Sequence, residues 1–173
     1  MTNSSTLSIA VTAMLAELED ALVVLRTEMG RQEQIREHYP FLYSEIGHAS
    51  SLAQMVQGIY TKSESILKVL IEETDGKLSQ SSSWHAELLR VASNENPEVR
   101  GAFISKQTYV AMRDLLGFRH KARSSYAEEL KRDRVVAVSG ETLETISGLI
   151  IDIRAFMAPV DREAEVKPER PTH

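Results

Sequence analysis

Residues 11–29 read VTAMLAELEDALVVLRTEM, and this stretch decides the fold. Val11, Leu15, Leu18, Leu22, Leu25 and Met29 recur at alternating steps of four and three. That rhythm lays one apolar stripe along a helix and leaves the charged residues on the other side. The pattern predicts a helix from Leu7 to His38, ended or redirected by Pro40. A second helix is expected over Phe41–Thr74, with Leu52, Val56, Ile59, Ile66 and Leu70 as its stripe and Ser63 as a polar gap. Asp75-Gly76 supplies its stop, because glycine accepts the left-handed conformation past a helix end.

Downstream, the Ser-rich Lys77–Ser83 reads as a loop, and Ser83 can cap a short helix over Trp84–Ala92. Asn94–Pro97 is a second loop. Ser105 can cap a long helix over Lys106–Lys131. Ser139 can cap a last one over Glu141–Met157, where Leu143, Ile146, Ile150 and Ile153 form the stripe. The tail Pro159–His173 is charged, carries Pro159, Pro168 and Pro171, and is expected to be disordered. The fold class is therefore all-α, a bundle of four long helices plus one short helix, in a single domain over residues 1–158.

Composition agrees with this class. Of 173 residues, 42% are hydrophobic but only 6% aromatic, so the core must come from Leu, Ile, Val, Ala and Met. No cysteine is present, which excludes disulfides and thiolate chemistry and makes a cytoplasmic location the expectation. No apolar run approaches the ~18 residues of a membrane span, and the polar Met1–Ser5 does not read as a secretory signal. The net charge of −5 means that any nucleic-acid contact must be local.

Such a local feature exists. Between Arg113 and Arg134 there are seven Lys or Arg and four Asp or Glu. At about 100° per residue, Leu115, Phe118 and Ala122 mark the core face, Arg119, Arg123 and Tyr126 flank it, and Arg113, His120 and Ser124 point away. A solvated charged face is the plain alternative for this stretch. No histidine pair has zinc-binding spacing, and no glycine-rich phosphate loop precedes a helix, so no metal and no cofactor is expected. Clustered Arg and His suit metal-free work on a phosphodiester. Forked Arg donors hold phosphate oxygens, and imidazole moves protons near neutral pH.

The run Phe118-Arg119-His120-Lys121-Ala122-Arg123-Ser124-Ser125-Tyr126, with Glu129-Leu130 and Arg134-Val135 beyond it, resembles the signature helix of the HepT-like branch of the HEPN superfamily. Ile59-Tyr60 with Glu64 and Ile66, and Trp84-His85 with Leu88-Leu89, match further landmarks, so the resemblance covers roughly residues 40–157. It implies a helical bundle that dimerises with its signature helices meeting in a cleft. It also implies a metal-independent endoribonuclease toxin whose partner is a minimal nucleotidyltransferase antitoxin able to adenylylate a motif tyrosine. Arg119 then matches the motif arginine and Tyr126 the modified tyrosine, while the motif histidine falls on Ser124. A serine cannot replace a histidine as proton carrier, so the neighbouring His120 is the substitute. Arg123 is a second phosphate-stabilising cation, and Arg113 and Lys121 are candidate RNA-binding groups. An alternative pairing of Arg113 with His120, six residues apart, remains open. Trp84 and His85 are expected to serve packing and capping, Tyr60 and Glu64 to be structural, and Glu64 to be one possible carboxylate partner of Arg119.

Overall fold

The computed structural model describes residues 4–76, 83–124 and 131–165, the side chains at 4, 123–124 and 159–165 excepted. Its helices are α1 (Ser4–His38), α2 (Glu45–Thr74), α3 (Trp84–Ser93), α4 (Lys106–Ser124) and α5 (Arg132–Glu165). No strand occurs among the described residues, and the bundle has four long helices and one short one, as the periodicity predicts. The α1 stripe is buried as expected, with Val11, Leu15, Leu18, Leu22 and Leu25 all in the core. Helix α2 is the central member. It packs against α1, α3, α4 and α5, which is why Leu52, Val56, Ile59, Ile66, Leu67 and Leu70 are all sealed from water.

Several boundaries differ from the sequence reading. Pro40–Leu42 is a 3-10 turn, and α2 starts only at Glu45, because the Ser44 hydroxyl accepts from the Gly47 N–H at 3.0 Å and caps the helix there. The α2 stop is as expected: Asp75 is the C-cap and Gly76 has φ 87°. Ser83 takes the N-cap position of α3 through its carbonyl, which accepts from Ala86 and Glu87. Lys131 is not helical, and α5 begins right after it, nine residues before the expected Glu141. Ser139 is therefore no cap. It is fully buried inside α5, its hydroxyl donating to the Val135 carbonyl at 2.9 Å, and Thr142 does the same to Val138 at 2.7 Å. Bonding back four residues lets both hydroxyls sit in an apolar stripe. Serine beside glycine reads as a break in sequence but is absorbed by the helix. At its other end α5 is helical to Glu165, past the expected Met157.

Two anchors fix α4, the helix that carries the basic stretch. Asp152 of α5 accepts from the Ser105 N–H at 2.8 Å and from the Thr108 hydroxyl at 2.6 Å, and the Ser105 hydroxyl accepts from the Thr108 N–H at 3.2 Å. A carboxylate thus meets the unsatisfied donors and the positive end of the helix. In the preceding loop, the Phe103 and Ile104 N–H groups both donate to the Ala92 carbonyl.

Arg100 clamps the same loop. Its side chain is 4% exposed, pairs with Asp75, and donates to the Asn94, Gly101 and Val91 carbonyls. Its guanidinium lies 3.9 Å from the Phe103 ring centroid. Arg100→Ala strands a carboxylate and three carbonyls, and is expected to cost about 3 kcal/mol in urea unfolding, the scale for breaking a buried ion pair.

A polar chain joins the start of α5 to the α1–α2 turn. Arg132 donates to Glu33 at 2.5 Å and to the Tyr43 hydroxyl at 2.8 Å. That hydroxyl lies 2.9 Å from His48 Nδ1. Since Tyr43 receives the arginine proton, its own proton goes to Nδ1, and the His48 Nε2–H is left without a partner among the described residues. Burial, and then the charge of Arg132, lower the His48 pKa, outweighing Glu33 and Glu28. A histidine held neutral in the fold contributes its full stability above its unfolded pKa of about 6.5, and that contribution is lost as pH falls toward the lower folded value. Urea midpoints are therefore expected to drop between about pH 7 and about pH 5, and the drop to shrink in His48→Gln.

Candidate functional site

Three helices bring three polar side chains into line. Glu64 projects from α2 and is 3% exposed. His85 stands in the first turn of α3, and its Nδ1 lies 2.5 Å from Glu64 Oε1. Arg119 projects from α4, is 8% exposed, and its Nη1 lies 3.3 Å from His85 Nε2. A guanidinium only donates, so Nε2 must present its lone pair and the ring proton must sit on Nδ1, facing the carboxylate. The chemistry of the neighbours thus sets the tautomer.

Aromatic groups hold this chain in place. The Trp84 ring lies on His85, centroids 3.9 Å apart and planes tilted by 32°. Tyr60, one turn before Glu64, is fully buried, and the Arg119 guanidinium lies 5.7 Å from its ring centroid. Burial, then the negative charge of Glu64, push the Tyr60 phenol well above its usual range, so it stays protonated. Its hydroxyl lies beside Glu64 without a well-directed bond to any described group. His120, the next residue of α4, is exposed and meets His85 edge-on, ring centroids 6.2 Å apart.

The remaining predicted residues divide. Arg113 and Lys121 do not join this group. They line a cavity of about 640 Å³ between α4 and α5, together with Asp114, Gly117, Lys131 and Arg134. Gly117 and Arg119 are two residues apart, about 200° around the helix, so cavity and polar chain lie on opposite sides of α4. The Arg113 guanidinium lies 5.8 Å from the Tyr109 ring centroid, and Arg134 pairs with Glu141 at 3.3 Å. Arg123 and Ser124 close the last turn of α4, but their side chains, and Tyr126 altogether, lie outside the described residues. Among the described residues, no three His, Asp or Glu side chains gather as a metal site.

Arg119 does reach Glu64, but through His85. The role of His85 is the one that sequence reasoning missed: read as packing and capping, it is the central link. Residues 21 and 34 positions apart meet here, and no local periodicity announces such a meeting. The only signal was the joint appearance of Glu64 and Trp84-His85 among the landmarks of the resemblance. Because the Tyr60 hydroxyl lacks a directed partner, Tyr60→Phe is expected to leave thermal stability unchanged or raise it by up to about 1 kcal/mol. A clear loss of stability would mean that the hydroxyl is bonded in solution.

A family model described as "HepT-like protein" matches residues 51–160, more than half of the chain. The match takes in most of α2, all of α3 and α4, and α5 as far as Val160. Neither the curated proteins nor the solved structures yield a match. With the helical bundle, the Glu64–His85–Arg119 line and this match in hand, the chain belongs to the HepT-like family of the HEPN superfamily.

Proposed function

We propose that this protein is a metal-independent endoribonuclease that acts as a toxin, as a homodimer, with a minimal nucleotidyltransferase as its antitoxin. The observation that carries the reading is the placement of Arg119. Its guanidinium, on a residue 8% exposed, is held by a buried carboxylate–imidazole pair, with a second, exposed imidazole, His120, on the next residue. A preformed cation beside proton carriers is what phosphodiester cleavage by a neighbouring 2′-hydroxyl requires. In this reading Arg119, helped by Arg123, offsets the charge on the pentacoordinate phosphorus. His120 carries a proton in place of the histidine that Ser124 displaces. Arg113 and Lys121 hold more distant phosphates of the RNA, and Tyr126 is the residue that the antitoxin modifies.

The second reading, a catalytically weak or inactive member that binds RNA, nucleotide or the nucleotidyltransferase, is favoured by one feature, Ser124 at the motif histidine position. Cleavage of labelled RNA in the presence of a chelator decides between them. The wild-type chain is expected to cut and to arrest growth when expressed, and Arg119→Ala to lose about 100-fold or more in rate, the scale for removing one charge-stabilising donor. A wild-type protein that binds RNA but neither cuts it nor arrests growth establishes the second reading.

A further inference from the structure

Proton traffic in the nuclease reading needs two carriers, one for the attacking oxygen and one for the leaving oxygen. Attack and departure occur on opposite sides of the phosphorus, so one imidazole on one side does not serve both. Two imidazoles lie near Arg119: His85, which meets its guanidinium, and His120, the next residue, edge-on to His85 with ring centroids 6.2 Å apart and planes at 81°. They differ in environment. His120 is exposed on the surface of α4. His85 has a side chain only 15% exposed, stacked on Trp84 and held at Nδ1 by Glu64. A carboxylate on one ring nitrogen fixes the other as a basic lone pair and stabilises the imidazolium formed when that lone pair takes a proton. In the free protein the lone pair is covered by Arg119. In the reaction proposed below, a substrate phosphate takes over donors of the Arg119 guanidinium, and the His85 lone pair is uncovered only when substrate is present.

Resting on the nuclease reading, we propose that His85 is the general base of the reaction, with Glu64 as its positioning residue and His120 as the general acid. His85 Nε2 takes the proton of the ribose 2′-hydroxyl, and the 2′-oxygen forms its bond to phosphorus. The bond from phosphorus to the 5′-oxygen breaks, and that oxygen takes a proton from the His120 imidazolium. The products are a 2′,3′-cyclic phosphate and a free 5′-hydroxyl. One proton is taken up and one is given, so the step balances, and the two rings exchange protons with water between turnovers. Ser124 then has no proton to carry.

The test compares two linkages in one RNA sequence, the natural phosphodiester and one whose bridging 5′-oxygen is replaced by sulfur. A thiolate leaves without a proton, so it no longer needs the acid. His120→Ala is expected to slow the natural linkage about 100-fold and to cut the sulfur linkage at close to the wild-type rate. His85→Gln is expected to be slowed about 100-fold on both. Its amide can still donate to Glu64 and accept from Arg119, so a merely structural role predicts near-normal cleavage. Glu64→Gln is expected to lower kcat about tenfold on both linkages with little change in KM.

Cleavage by His85→Gln within about threefold of wild type overturns the proposal, a difference too small for a lost general base. So does sulfur rescue of His85→Gln instead of His120→Ala. If His85→Gln melts early, imidazole added to His85→Ala decides: recovered cleavage supports the base, and no recovery overturns it. A wild-type chain that cuts neither linkage removes the nuclease reading itself, and an Arg119→Ala chain that cuts both at the wild-type rate removes Arg119 from it. An active wild type with active His85→Gln removes only this inference.

Discussion

A carboxylate buried on the central helix constrains everything around it. Glu64 sits on α2, the helix that packs against all four others, and is 3% exposed. A charge so far from water must be compensated, because its desolvation costs several kcal/mol even after relaxation. The compensation comes from outside α2. His85 must enter from α3, and Arg119 must follow from α4. Those demands set where α3 begins, since His85 has to fall in its first turn. They also set the register of α4, which the Asp152 anchor and the Arg100 clamp hold from the other end. The bundle core would tolerate small slides of one helix along another. The polar chain would not, because hydrogen bonds fail with sub-ångström error while apolar contacts merely repack.

The same contrast explains what the sequence discloses. Helices reveal themselves through spacing along the chain, so the α1 stripe, the α2 stripe and the Gly76 stop are legible from residue order alone. The helical wheel also separates Arg119 from Arg113, and the structure keeps them apart, one against α3 and one facing α5. Legibility fails where a local signal and a tertiary outcome conflict. Ser139-Gly140 looks like a helix start, yet Val135 and Val138 below it are buried and the hydroxyl finds a carbonyl four residues back. Burial on α1 and α2 overrides the local break. Legibility also fails for pairs. Nothing near Trp84 says that His85 will meet a carboxylate from one helix and a guanidinium from another. That meeting exists only in the packed state.

The family match bears on the two halves of the molecule differently. It begins at Ser51, inside α2, and so leaves out α1 and the Tyr43–His48 pair at the start of α2. Yet α1 supplies one wall of the core, and Glu33 near its end pairs with Arg132 at the first turn of α5. The segment between α4 and α5 carries Tyr126. Its two flanks are therefore held by different means: Ser124 by α4, anchored at Asp152, and Arg132 by a chain of polar groups that runs through Tyr43 to His48. The part of the chain outside the family match helps to place the part inside it.

Ser124 looks at first like a lesion in a catalytic motif. That view assumes that chemistry belongs to a sequence position. Proton transfer depends instead on a lone pair of suitable basicity within reach of the proton, whichever helix presents it. Among the described residues, the imidazole with a buried carboxylate behind it is His85, on α3, in contact with Arg119. A histidine at 124 would project from the last turn of α4, next to the segment that carries Tyr126. His85 projects from the first turn of α3, stacked on Trp84, with a partner at each ring nitrogen and a side chain 15% exposed. In the proposed mechanism a base built on the second arrangement has its ring oriented before substrate arrives, and its carboxylate partner is already buried. In the proposed mechanism, the serine at 124 and a base on a neighbouring helix are two halves of one arrangement.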